Sequence, residues 1–423
     1  MEIAVVVLIL GLFILLPVCR FKILEPVSIH CILWCVFIAG SVLFLARDYK
    51  FTFSGVLWLL AICYIYLIIA RVFYVKTPTC IKAEQPNIHW EILVILILLA
   101  LCSTIYTMIV AGVNLSVFRN FSELQAVAHN ASVNRYASGG ESVTALNQLL
   151  NVFVYAAPLC AGYSLVYAEN RMQKIICYSS IVPVILNVLL TAAKLALVAF
   201  VIFFFVGFYT AYVYKNKCVP IVKIKTVVLG IIGVVILFSL FYLSFVLRIG
   251  KSNDNLFNVI FEKLMVYTFG HIQGFDCWFS SEAFDVENYS FGTKTFLAIS
   301  SKLGLAKKIQ GVYGLMPGTC TNVYTQYRGI IEDFGVVGSM LVLLFVFGFT
   351  SWLYARLLRT EKSNVIVQVL FAANIFWLIY FIVSTWTYTS YILTFIVFAV
   401  YLYLNYNLKI ILRENNINVK DNR

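Results

Sequence analysis

The chain has 423 residues, of which 62% are hydrophobic and only 12% charged, half the charged fraction of about 25% found in soluble domains. That composition excludes a soluble enzyme, a disordered chain, a collagen and a disulfide-stapled scaffold, and it marks a polytopic membrane protein. The formal charge of +12 fits cytoplasmic loops, which collect Lys and Arg, and gives nucleic acid no part to play.

A helix needs about 20 mostly apolar residues to cross a bilayer. Taken in chain order, such stretches fall at 3–19, 26–46, 52–70, 92–113, 146–168, 175–193, 195–214, 226–247, 334–355, 364–383 and 388–408. The first lacks a basic region before its apolar run and a small-residue cleavage site after it, so it reads as a retained helix. Residues 175–214 carry one charge, Lys194, and are too long for one crossing; they read as two helices hinged near Thr191-Ala192-Ala193-Lys194. Residues 363–408 carry none, but Ser384, Thr385, Thr387, Thr389 and Ser390 mark a turn between two more. The expected fold class is therefore all-α, with about eleven transmembrane helices (ten to twelve) and a large outer loop holding short amphipathic helices.

Cation placement sets the orientation. With the N-terminus outside, the inner loops and tail hold eighteen Lys and Arg and the short outer loops only Arg47, Lys50, Arg119, Arg135 and Lys194, so the C-terminus is expected in the cytoplasm. The chain divides into residues 1–248, with eight spans and a polar outer loop at 114–145, then an outer loop at 249–333, then 334–423 with three spans and a tail. The 249–333 loop holds eight of the nineteen acidic residues, and a loop of that length is unusual unless it works. Its first part, Asn255–Phe269, is amphipathic, with Leu256, Ile260 and Leu264 placed to be buried in the interface.

Metal chemistry finds no support. His30, His89, His129 and His271 show no ligand spacing and no Cys-x-x-Cys occurs, so zinc is not expected. No phosphate-binding loop of the Walker kind appears, nor an Asp-x-Asp pair of the sort that holds a cation against a nucleotide sugar. No metal and no cofactor is expected. Only Cys277 and Cys320 of the eleven cysteines fall in the long loop, where a disulfide and two free thiols are equally open readings.

The informative groups are the outer arginines Arg119, Arg135, Arg248 and Arg328. Guanidinium forks hold phosphate oxygens bidentately, as a site for a lipid-linked pyrophosphate at the membrane surface requires. Arg119 and Arg248 flank spans, where arginines also snorkel to headgroups. Arg328 stands in a dense stretch, Gly318-Thr319-Cys320-Thr321-Asn322-Val323-Tyr324-Thr325-Gln326-Tyr327-Arg328, followed by Glu332-Asp333-Phe334-Gly335. On a helix Glu332 lies four residues on from Arg328 and within pairing reach.

The stretch Gly318–Gly338 resembles the Asn-x-aromatic-Thr, Arg, Asp-aromatic-Gly-x-x-Gly region of oligosaccharide repeat-unit polymerases, the Wzy-type O-antigen and capsule polymerases. Arg135-Tyr136 followed by Ser138-Gly139-Gly140 resembles the Arg-Tyr segment that precedes a span in that family. Thr191–Lys194 stands where the family has a small-residue turn ending in Arg, with Lys in its place. The resemblance implies a GT-C-like membrane glycosyltransferase of the bacterial inner membrane. It would move a growing glycan from undecaprenyl pyrophosphate to an incoming lipid-linked repeat unit on the periplasmic side, with a chain-length regulator as a further partner. On that basis Arg135 and Arg328 clamp the pyrophosphate and Arg119 and Arg248 assist. Asp333, Glu332 or His271 takes the acceptor proton, and Asn322 lies in the substrate region. Tyr136, Tyr324, Tyr327 and Trp278 hold sugar rings.

Three rivals remain: the O-antigen ligase, which shares the layout and donor but uses lipid A core as acceptor; a flippase for the lipid-linked oligosaccharide; and a structural or scaffold role, in which the outer arginines would tolerate substitution. Flippases line a central cavity with charges inside their spans, whereas here the spans are nearly charge-free and polar residues gather in two outer loops. Sequons at Asn114, Asn120, Asn130 and Asn288 matter only in a eukaryotic secretory protein.

Overall fold

An apolar chain in a bilayer must satisfy every backbone N–H and C=O internally, and the helix does so within one segment. The computed structural model describes residues 2–74, 82–137, 145–192, 195–249, 256–284, 289–307, 313–381 and 385–420, and some side chains inside its helices, those of Arg135, Tyr136 and Arg248 among them, lie outside the description. Among the described residues there is no strand.

The helices begin with α1 (Glu2–Val18), α2 (Pro26–Leu45), α3 (Ser54–Val72) and α4 (Trp90–Val110). A 3-10 turn (Leu115–Arg119) leads into α5 (Phe121–Ala137), α6 (Ala145–Leu165), α7 (Arg171–Ser179), α8 (Ile181–Thr191) and α9 (Leu195–Asn216). Then come α10 (Ile224–Ile249), α11 (Leu256–Glu282), α12 (Leu297–Lys302), α13 (Tyr327–Arg359), α14 (Val365–Ile379) and α15 (Thr389–Lys420). Nine apolar stretches among the described residues are long enough to cross a membrane: α2, α3, α4, α6, α7 with α8, α9, α10, α13 and the first part of α15. α1 and α14, at 17 and 15 residues, are apolar but shorter. The chain is a membrane-embedded helical protein, and each of the eleven expected crossings coincides with one of these helices, two of which fall short of a full span.

Where helices cross closely, small residues make room. Gly162 of α6 and Gly207 of α9 face each other, and a Cβ on either would run into the opposite backbone, at Phe204 and Leu159 respectively. Helix ends are tied by polar groups. The buried Lys217 Nζ donates to the carbonyls of Leu357 (2.8 Å) and Thr360 (2.6 Å) at the end of α13, where a cation also complements the helix dipole.

The long loop contains more than an interfacial helix. α11 runs 27 residues and packs against α2 and α3. Ile260 is buried against protein and Leu264 half-buried, so this face of the helix is covered by the bundle and not by the membrane interface; Leu256's side chain lies outside the described residues. The pattern ends at Phe269, but the helix continues to Glu282, because residues 270–276 are all buried against the bundle. α13 is kinked at Gly335, whose φ of 71° and ψ of 174° interrupt the helix in a region that is essentially glycine-only. A Cβ there would also stand 2.8 Å from the Tyr289 hydroxyl.

Candidate functional site

The site is assembled from two elements, the second half of α11 and the 313–334 segment. Asp276 fixes the first. Its carboxylate accepts from the backbone N–H of Thr52 (2.6 Å), Phe53 (2.9 Å), Gly55 (2.9 Å) and Val56 (3.3 Å), and from the Thr52 hydroxyl (3.0 Å). The first turn of α3 leaves its N–H groups without helical partners; its N-cap is Phe53 in the left-handed region (φ 65°), which has no side-chain acceptor. Asp276 caps α3 from a different helix. Gln273 fixes the second element: its Oε1 accepts from Cys320 N (3.0 Å) and its Nε2 donates to the carbonyls of Gly318 (3.0 Å) and Lys50 (3.1 Å).

Residues 324–331 are all buried, so the turn into α13 reaches into the bundle. At its tip the Tyr327 hydroxyl lies 3.2 Å from His30 Nε2, and its ring packs against Trp34, Trp58 and Trp377 at 5.1, 5.5 and 6.2 Å. Arg328 points the other way. Its guanidinium carbon lies 3.9 Å from the ring centre of Tyr313, 4.2 Å from Tyr324 and 4.9 Å from Trp278, cation–π contacts worth about 0.5–2 kcal/mol each. Arg328 Nε donates to Glu332 Oε1 at 2.8 Å, and Nη2 is 3.9 Å from Glu282 Oε2. With Arg328 only 8% exposed, this is a cation largely shielded by three aromatic faces, with one carboxylate bonded to it and a second, exposed one 3.9 Å away.

Arg328, Glu332, Trp278 and Tyr324 are thus brought together. Tyr324 and Trp278 turn their rings on the guanidinium instead of outward to a sugar, and Tyr324 also donates from its hydroxyl to the Gly314 carbonyl (3.0 Å). Tyr327 is core, and Asn322 is exposed on the loop. Asp333 is fully buried and accepts from the Ser290 hydroxyl (2.6 Å), Lys294 N (3.0 Å) and Thr295 N (2.7 Å). Its carboxylate folds the 290–295 turn onto α13. His271 is 1% exposed and ringed by Phe381, Phe37 and Trp34 at 4.7, 4.9 and 6.3 Å. Burial pushes its pKa down to about 3, which leaves it neutral.

The other arginines sit on different elements. Arg119 is exposed on the 3-10 turn. α5, which carries Arg135 and Tyr136, packs on α8 and α10, the latter carrying Arg248; Gln125 Nε2 of α5 donates to the Val246 carbonyl of α10 at 3.0 Å. Lys194 lies outside the described residues. Cys277 and Cys320 are both free thiols, and burial raises the pKa of each, Cys320 to about 11. No group of three or more His, Cys, Asp or Glu that could hold a metal occurs among the described residues.

Tyr313, Glu282, Asp276 and Gln273 escaped the sequence reading. Asp276, an acid inside the apolar run Phe275-Asp276-Cys277-Trp278, carried the one available signal, since an acid in such a run needs a partner. Tyr313 and Glu282 lie 15 and 46 positions from Arg328 with no local pattern tying them to it. Comparison with known proteins is negative: no family model, no curated protein and no solved structure matches the chain.

Proposed function

We propose that this chain is a membrane glycosyltransferase that joins undecaprenyl-pyrophosphate-linked repeat units, an O-antigen or capsule polymerase releasing undecaprenyl pyrophosphate. In this reading it sits in a bacterial inner membrane with its C-terminus in the cytoplasm, works on the periplasmic side and has a chain-length regulator as a partner. The observation that carries it is Arg328, a nearly buried guanidinium in a bundle whose spans are otherwise almost free of charge. Such a reaction asks the protein to stabilise the departing pyrophosphate and to align and deprotonate one acceptor hydroxyl. Arg328 serves the first task. Glu332, paired with it through one oxygen, is a better placed base than Asp333, whose oxygens are taken up by the fold, or His271, which is sealed among aromatic rings.

The test is a gel of surface polysaccharide from a host strain lacking this gene, complemented with wild type or Arg328→Ala. The expected result is loss of the ladder with one repeat unit retained on core, restored by wild type and not by Arg328→Ala. Core without any repeat unit would indicate a ligase or a flippase, and an unchanged ladder would overturn the reading.

A further inference from the structure

The guanidinium of Arg328 has five N–H donors, and the fold satisfies them unevenly. Nε is committed to Glu332 at 2.8 Å. Nη1 faces only the Met316 sulfur, at 3.8 Å, a weak acceptor. Nη2 has its nearest carboxylate oxygen, on Glu282, at 3.9 Å, beyond hydrogen-bond distance. Thus no oxygen among the described residues fills the terminal fork of a side chain that is itself only 10% exposed. No Arg328 atom is among the fully buried polar atoms that lack a partner, so water reaches the open part of the fork, while the three aromatic rings hold the guanidinium in place.

The surroundings of the fork also differ in access. The Glu332 side chain is 17% exposed and that of Glu282, the last residue of α11, is 53% exposed. Glu282 is the solvent-facing member of the cluster.

We infer that the terminal nitrogens of Arg328 form an oxyanion site for a phosphate-bearing ligand, and that Glu282 is its specificity-determining gate. Glu282 stands near the fork as a single carboxylate in the resting state and must yield to an incoming anion. A pyrophosphate, with more charge and a geometry that meets two parallel N–H groups at once, displaces it where a monoanion does not. Tyr313, Tyr324 and Trp278 act as positioning residues that hold the fork toward Glu282. The inference deepens the proposed function and rests on it for the identity of the ligand, but the site itself is tested without any sugar transfer.

The experiment is calorimetric titration of the full-length protein in mild detergent with two probes, inorganic pyrophosphate and farnesyl pyrophosphate. Glu282→Gln, an exposed and nearly isosteric change, should tighten binding roughly two- to five-fold, the scale of an exposed ion pair. Arg328→Lys, which replaces the fork by a point charge, should weaken it at least ten-fold; if that variant does not remain monodisperse, Glu282→Ala repeats the gain-of-affinity readout. Tighter binding of the prenyl compound supports a lipid-linked ligand, and equal binding of both supports the same site with a soluble phosphate as its source. Wild type that binds neither probe, or a Glu282→Gln variant that binds no more tightly, overturns the inference. Unchanged affinity in Glu282→Gln alongside a lost ladder for Arg328→Ala leaves the proposed function standing and removes the gate. Wild type that binds neither probe removes the phosphate site as well, and intact gating with an unchanged ladder removes only the transferase.

Discussion

The Asp276 cap makes the sharpest structural prediction. Replacing Asp276 by Ala removes an acceptor from four backbone N–H groups and one hydroxyl. Thr52 is exposed and Phe53 half-buried, but Gly55 and Val56 are buried, so water can replace the carboxylate only at the first two. Two orphaned buried donors at about 1–3 kcal/mol each give a loss of roughly 3 kcal/mol, close to that of a strong N-cap together with its charge–dipole term. Scaling the usual 2–4 °C per kcal/mol for 150–250 residues to this longer chain gives a fall in Tm of roughly 3–6 °C. Thermal unfolding of the detergent-purified protein, followed by tryptophan fluorescence, measures it. Asp276→Asn, which keeps acceptor capacity but loses the charge, should fall between. An Asp276→Ala protein that melts with wild type would refute the claim that α11 is fastened to α3 through this carboxylate. A second consequence is functional: Trp278 and Glu282 lie on the same helix within two turns, so the variant should also loosen the Arg328 cage.

Three further outcomes are expected. Gly207→Ala places a methyl against the Leu159 carbonyl where α6 and α9 meet, so it should cost about 1–3 kcal/mol and lower the yield of monodisperse protein, whereas Gly230→Ala, with open space around it, should not. Lys217 has its pKa lowered by burial to about 8, so between roughly pH 8 and pH 10.5 the unfolded chain binds more protons at this site than the folded one. Stability should therefore rise with pH across that window by about 1–3 kcal/mol, seen as a pH slope in wild type that Lys217→Met lacks; equal slopes would refute it. Gly335→Ala, at φ 71° and against the Tyr289 hydroxyl, should cost about 1–3 kcal/mol of strain, seen as a lowered Tm of the purified protein; an unchanged Tm would refute the strain.

The sequence by itself determined the membrane class, the helical fold and where the apolar helices fall, because each follows from local facts: the length of an uncharged run, the bilayer's refusal of unpaired backbone, and the polar breaks near residues 191–194 and 384–390. It also marked Arg328, with Glu332 one turn on, since an i to i+4 pair is visible in one dimension. What it could not supply were partners far apart in the chain. That Tyr313, Tyr324 and Trp278 converge on one guanidinium, that Asp276 caps a helix beginning more than 200 residues earlier, and that His271 is sealed among aromatic rings all depend on α11 docking across α2 and α3, while Asp333 is sealed by the 290–295 turn. Docking of that kind is decided by shape and by the pairing of buried polar groups across the whole bundle, and an apolar sequence with many equivalent surfaces does not spell it out.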